Sequence, residues 1–181
     1  ENEHIKKEME VSLKAGEIIG EIYEALLKEY RNPENPQTLK SLNVLCVRLV
    51  FCLYAEDSGL FGTKSHSAFH DYLARFKPGS GDMRRALIDL FQILNTPIPE
   101  RDPYLDDALL AFPYVNGGLF ADRNIEIPRL NDEIANLILK HASNDFDWSQ
   151  ISPTIFGAVF ESTLNPQTRR SGGMHYTSVE N

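Results

Sequence analysis

QTLKSLNVLCVRLVFCLYAE, residues 37–56, is apolar on most sides from Val44 to Tyr54. A helix that is apolar nearly all round belongs inside a protein, so this run predicts a core helix from Gln37 to about Glu56. Everything else in the chain must then be arranged to cover it. The expected fold class is mostly α, a helical bundle with one short β-hairpin or extended segment. Both cysteines, Cys46 and Cys52, lie in this run. Six positions apart, they fall on opposite sides of a helix, which argues against an internal disulfide and suits a reducing cytoplasm. Glu56-Asp57 at the helix end opposes its dipole, unfavourably unless a cation answers. The plain reading is a solvated end or an ion pair with an arginine. The sharper one, a catalytic acid pair, has no partner motif nearby.

Upstream, Asn32 to Pro36 (NPENP) is a hard break. Before it, about Glu3 to Arg31 reads as one long amphipathic helix. Met9, Leu13, Gly16, Gly20, Tyr23, Leu27 and Tyr30 step by fours and threes along a packed seam. Glu3–Lys7, Glu10–Lys14 and Glu24–Lys28 are i,i+4 pairs in the better orientation. Gly16 and Gly20 each cost about 1 kcal/mol against Ala. Either another backbone approaches there or the glycines only bend the helix.

Downstream, His66 to Phe76 is a short predicted helix. His66 and His70 have the i,i+4 spacing that can chelate zinc, but Ser67 stands where a zinc-protease motif has Glu. Gly79-Ser80-Gly81-Asp82 has the outline of a nucleotide-binding turn without the preceding strand. A turn and cap is the expected role, leading to a helix striped by Met83, Leu87, Leu90, Phe91 and Leu94. Arg84 and Arg85 at its start are expected at the surface. After a Pro-rich connector, Asn95 to Asp107, the stretch Pro113 to Pro128 is the one plausible β region. Asn116-Gly117 signals a tight turn, and Ile125-Glu126-Ile127 alternates like a strand. A hairpin or ordered loop packed on helices accounts for its glycines; a phosphate- or partner-contacting loop is the rival. Leu130, Ile134, Leu137, Ile138 and His141 mark another amphipathic helix, and Trp148 is expected in the core.

At 181 residues the chain can hold one domain with a real core. Its 42% apolar and 24% charged content is that of an ordinary globular protein. No apolar run approaches the roughly 20 residues of a membrane span. There is no signal peptide, so a cytoplasmic protein without a membrane partner is expected. With a formal net charge of −8 the domain as a whole repels phosphate and is a poor primary grip for DNA.

The last quarter carries the functional signal. Ser152-Pro153 starts a helix, Ile155, Phe156, Val159, Phe160 and Thr163 share a face, and Asn165-Pro166 stops it. A basic, Gly-rich connector follows, then Gly173-Met174-His175-Tyr176-Thr177-Ser178. Thr177 to Glu180 fits a capping box. A helix start with one residue after it, and no Met at Glu1, lead us to expect a piece of a longer protein.

PTIFGAVFESTLNPQTRRSGGMHYTSVEN, residues 153–181, resembles the beginning of the methyltransferase domain in MmeI-like Type IIG/IIL restriction-modification enzymes. It is also similar to the adenine methyltransferases of BREX phage-defence systems. In that family a G-x-[HYF]-[YF]-T-[PS] element, motif X, precedes the cofactor-binding sheet. Here its positions are held by Gly173, His175, Tyr176, Thr177 and Ser178. Leu42 to Phe61 (LNVLCVRLVFCLYAEDSGLF) and Pro113 to Phe120 (PYVNGGLF) resemble the helical spacer upstream of it, in the same order.

The resemblance implies that residues 1–150 are a helical spacer domain. Residues 151–181 would be the junction and N-terminal edge of a truncated methyltransferase domain. It implies that His175, Tyr176, Thr177 and Ser178 bind S-adenosyl-L-methionine in the parent, where a helix N-terminus also suits the methionine carboxylate. Mg²⁺ would serve the parent's nuclease half, and DNA would be met through its other domains. The intramolecular nuclease and methyltransferase domains would be the spacer's neighbours. No Asp, Glu or Gln stands two residues before any Lys, so a PD-(D/E)xK nuclease site is missing from these residues. Asn32-Pro33, Asn35-Pro36 and Asn165-Pro166 all lack the second Pro of an N-P-P-[YF] base-flipping motif. The segment itself is therefore expected to be non-catalytic and to hold no cofactor. Two rival classes remain: a helical protein-interaction module unrelated to DNA modification, and a small metallohydrolase built on His66 and His70.

Overall fold

The protein is described here as a computed structural model covering the backbone of residues 2–164 and the side chains of residues 2–158. Helix α1 spans Asn2–Leu27 and α2 spans Pro36–Ser58. They are followed by α3 (Ala68–Leu73), α4 (Asp82–Leu94), α5 (Asp107–Leu110), α6 (Asp132–Asn136) and α7 (Pro153–Leu164). Among the described residues there is no strand.

The core helix forms where the sequence places it. Asn35 caps its start, its side chain accepting the Gln37 N–H at 2.8 Å, and Pro36 occupies the first turn, where no N–H is needed. Gly59 ends it at φ 87°, a left-handed position that a side chain would strain. Leu42, Leu45, Cys46, Leu49, Val50, Cys52, Leu53 and Ala55 have no exposed surface. Burial of each large side chain among them contributes roughly 1.5–3 kcal/mol. By length and composition α2 would pass for a membrane span, contrary to the sequence expectation. Its apolar surface is spent on the protein's own interior. The cysteines are both buried and free.

Helix α1 packs on α2 and α7, but its seam is displaced from the expected one. Ala15, Ile18, Ile19, Ile22 and Leu26 carry the burial, alongside Gly16, Gly20 and Tyr23, while Met9 is exposed and Leu13 half-buried. The first turns of α1 extend past the bundle, so heptad spacing there meets no neighbour. Along it Lys14 reaches Glu17 at 3.9 Å and Lys28 reaches Glu133 at 3.7 Å. These exposed contacts are worth little.

Helix α4 follows its turn as expected. Gly81 caps it at φ 92°, and Met83, Leu87, Leu90, Phe91 and Leu94 are all buried. Arg84 departs from its assigned surface role. It is half-buried, and its Nε donates to the Ile127 carbonyl at 2.6 Å. Helix α6 continues into a π-helical stretch, Leu137–Asn144, whose wider turns shift the buried face. Ala142 is buried there and His141 is exposed, the reverse of an α-helical continuation. Trp148 is core, as expected, its indole N–H donating to the Ala142 carbonyl at 2.8 Å. Ser152 opens α7, its hydroxyl accepting the Ile155 N–H at 3.3 Å. Of the face predicted on α7, Ile155 and Phe156 are half-buried against the core. Val159, Phe160, Thr163 and the stop at Asn165-Pro166 lie outside the described residues or side chains.

Pro113 to Pro128 is an ordered loop, and of the two alternatives the hairpin is absent. Without strand pairing its backbone groups need other partners, and side chains of the helices supply them. Arg48 of α2 donates from Nε to the Leu119 carbonyl at 3.0 Å and from Nη2 to the Asp122 carbonyl at 2.8 Å. The Tyr30 hydroxyl donates to the Glu126 carbonyl at 2.7 Å, and the Ser41 hydroxyl accepts the Glu126 N–H at 2.9 Å. Thr38 donates to the Glu126 carboxylate at 2.9 Å. Val115 N–H reaches the Leu94 carbonyl at 2.8 Å. Arg48 is 2% exposed, with its guanidinium 5.1 Å from the Phe91 ring centroid and 5.4 Å from that of Phe120.

Replacing Arg48 by Met keeps the volume but orphans two loop carbonyls. It should lower stability by about 2–4 kcal/mol, since each unmet buried acceptor costs about 1–3 kcal/mol. Urea unfolding of the 181-residue chain checks this, and a midpoint unchanged from wild type would contradict it.

Candidate functional site

The residues predicted to bind the cofactor, His175, Tyr176, Thr177 and Ser178, lie outside the described residues. Within the described part, the ionisable cluster nearest to a site is at the C-terminal end of α2. There Glu56 is 1% exposed, with Asp57 beside it, where the last carbonyls of the helix already concentrate negative charge.

Among the described residues no arginine answers these carboxylates; N–H and O–H donors of other segments do. Glu56 Oε1 accepts the backbone N–H of His70 at 2.9 Å, in the first turn of α3, and Oε2 accepts the Ser143 hydroxyl at 2.7 Å. Ser67, the residue that precedes α3, makes no capping bond of its own, so Glu56 serves as a cap delivered from another helix. Asp57 Oδ2 accepts the Trp148 N–H at 2.8 Å. Burial pushes the Glu56 carboxyl up to about 7, although both hydrogen bonds pull the other way and the charge of Asp57 adds to the rise. Burial likewise raises Asp57 to about 6, against the pull of the Trp148 N–H. With both Glu56 oxygens engaged and closed off from solvent, the pair fastens α3, the π-helical stretch and the Trp148 turn to the core helix. Neither the solvated-end nor the arginine reading holds, and the catalytic-pair reading has no reachable substrate.

The two histidines are not on one helical face. His66 precedes α3, and its Nδ1 lies 2.9 Å from the Asp57 carbonyl oxygen. His70 is on α3, with Nδ1 3.0 Å from Asp71 Oδ1. Among the described residues no group of three or more His, Cys, Asp or Glu side chains gathers as a metal site. Gly79 to Asp82 is a turn: the Gly79 N–H bonds the Leu130 carbonyl at 2.8 Å and Ser80 donates to the Lys77 carbonyl at 3.1 Å.

Sequence reasoning missed the buried arginines. Arg48 had a legible signal, a single cation inside an apolar run that could only survive burial by finding acceptors. Arg101 had none, standing between Glu100 and Asp102 like a surface residue. It is 8% exposed and donates to the carbonyls of Thr96, Leu110, Phe112 and Ile93. Those four bonds knit the Pro-rich connector to α4 and α5.

Comparison with known proteins places this architecture. Residues 40–120 match the family model described as MmeI, helicase spacer domain. The chain is 33% identical over 181 residues, all of its length, to DNA methyltransferase A of Bacillus subtilis, of which it covers 20%. It is 26% identical over 170 residues to a putative type II restriction enzyme and methyltransferase of Methanocaldococcus jannaschii, spanning 76% of this chain and 13% of that one. Among solved structures, the Type IIL restriction-modification enzyme MmeI in complex with DNA matches 87% of this chain with a TM-score of 0.66 and 35% identity. The match takes up 20% of the MmeI chain. The chain thus spans about a fifth or less of the length of these relatives.

Because Glu56 holds its proton more tightly folded than unfolded, the folded state binds more protons between about 4.5 and about 7, and stability falls as pH rises through that window. Asp57 adds a fall in the same direction between 3.8 and about 6. Glu56→Gln keeps an acceptor for His70 N–H and an amide for Ser143, without the charge. Its urea midpoint should exceed wild type at pH 8 and converge with it near pH 4.5. Parallel profiles for the two proteins would count against this.

Proposed function

We propose, from the match of residues 40–120 to the MmeI helicase spacer domain, that the chain is the helical spacer of a single-chain restriction-modification enzyme, itself without catalysis. It holds a nuclease on one side and an S-adenosyl-L-methionine-dependent N6-adenine DNA methyltransferase on the other. Residues 1–150 form the spacer and residues 151–181 the junction with the methyltransferase. The observation that carries the reading is mechanical. Two long connections among the described residues are tied down: Pro113 to Pro128 by Arg48, Arg84, Tyr30 and Ser41, and the Pro-rich connector by Arg101. A block fixed in this way transmits distance and angle, which a flexible linker does not. Helix α1 alone, at 26 residues, reaches about 39 Å at the helical rise.

In this reading His175, Tyr176, Thr177 and Ser178 bind S-adenosyl-L-methionine in the parent, which supplies the methyl group. Mg²⁺ belongs to the nuclease half, and no step of either reaction is placed on the described residues. The parent works on DNA in the cytoplasm. Those relatives that are named as methyltransferases or restriction enzymes support the assignment.

The 181-residue chain should transfer no methyl group from labelled S-adenosyl-L-methionine to DNA; measurable transfer would overturn the spacer role. In the whole enzyme, Thr177→Ala should weaken cofactor binding by about tenfold, the scale of one lost charge-assisted hydrogen bond. Arg48→Met should spread the cleavage positions without altering which base is methylated. Sharp cutting at the wild-type offset by a loosened Arg48 variant would show that the block does not set the distance.

A further inference from the structure

A cavity of about 270 Å³ opens between α2, α4 and residues 120–127. Three arginines line it, Arg48, Arg84 and Arg123, with one acidic residue, Asp122. In a chain of net charge −8 this is a local reversal of sign. Asp122 is turned to its own loop, where Oδ1 accepts the Asn124 N–H at 2.9 Å.

The arginines keep donors in reserve. Arg48, at 2% exposure, spends Nε and Nη2 on the Leu119 and Asp122 carbonyls. Its Nη1 has no protein acceptor among the described residues. Arg84 spends only Nε, on Ile127. Arg123 is an exposed residue of the lining. Gln92 and Asn95 add amide groups to the wall. Three arginines against one carboxylate leave an excess of positive charge, and an anion in the middle relieves the repulsion among them.

We propose that this cavity binds a phosphate group, as a monoester or a diester. A carboxylate is satisfied by one guanidinium fork, whereas a tetrahedral phosphate has faces for several. The volume is near the lower end for ligand sites, room for a phosphate with an attached sugar and little more. The two sources with this chemistry are a free nucleotide and the backbone of DNA. The inference stands on the arginines alone and survives or fails independently of the spacer role.

Calorimetric titration of the 181-residue chain with inorganic phosphate, deoxyadenosine monophosphate and a short DNA duplex of arbitrary sequence tests it. Arg123→Gln changes an exposed side chain that holds nothing in the fold, and Arg84→Gln removes the second free fork. Each should weaken the binding of phosphate-bearing probes by about tenfold, as for one lost charge-assisted hydrogen bond. Duplex binding stronger than that of the mononucleotide, with a salt dependence that Arg123→Gln flattens by about one phosphate contact, assigns the site to DNA backbone. Binding of phosphate and mononucleotide with no gain for duplex assigns it to a free phosphoester. Failure of all three probes to bind at millimolar concentration, or equal binding by wild type and both variants, overturns the proposal.

Discussion

A cation inside the core helix sets the terms for the rest of the molecule. Removing the Arg48 charge from water is costly, and burial pulls its guanidinium below its ordinary value while Asp122 pushes it back up. What offsets the cost is a loop whose Leu119 and Asp122 carbonyls accept the guanidinium's hydrogen bonds. Pro113 to Pro128 crosses the bundle without pairing into a sheet, leaving carbonyls that would be orphaned beside the core. Arg48 and the loop need each other: the fork fixes the loop, and the loop's carbonyls make the buried fork tolerable. Phe91 and Phe120 set their ring faces beside the charge.

The other end of α2 uses the opposite sign by the same logic. Glu56 and Asp57 bring acceptors to segments that arrive with spare N–H groups, α3 at His70 and the final turn at Trp148. One helix therefore offers donors near its middle and acceptors at its end. Segments far apart in sequence, from residue 70 to residue 148, are gathered onto it by polar contacts laid over an apolar surface. The aromatic edges continue the pattern, with Phe146 at 4.8 Å from Trp148 and Tyr54 at 5.4 Å from Phe156.

What could be read from the chain was whatever depends on local chemistry. Ser152-Pro153 starts a helix through a cap that involves only its neighbours, and the α4 stripe is periodic because that helix is regular throughout. The core helix was legible because an all-round apolar run has one physical solution. Readings failed where a distant partner decides. Met9 lies on a periodic seam that extends beyond its neighbours. His66 looked helical by spacing, but the helix begins after it. Arg84 looked solvent-facing until the Ile127 carbonyl arrived beside it. The role of Glu56 could not be seen, since its partners lie 14 and 87 positions away. For the candidate site the balance is poorer: the buried arginines carry no local mark except the isolation of Arg48 among apolar neighbours, and His175 to Ser178 rest on their resemblance.

The π-helical stretch at Leu137–Asn144 acts as a phase adjuster between two fixed points. Asn131 anchors its approach by accepting the Ile134 N–H, and Trp148 must arrive facing Asp57. An α-helix advances its side chains by about 100° per residue, so winding one residue of slack into ordinary turns would rotate everything after it by that angle. The wider coil absorbs the surplus where it arises. The backbone N–H of Trp148 then meets the Asp57 carboxylate while its indole turns back to the Ala142 carbonyl, and α7 follows, packed along α1.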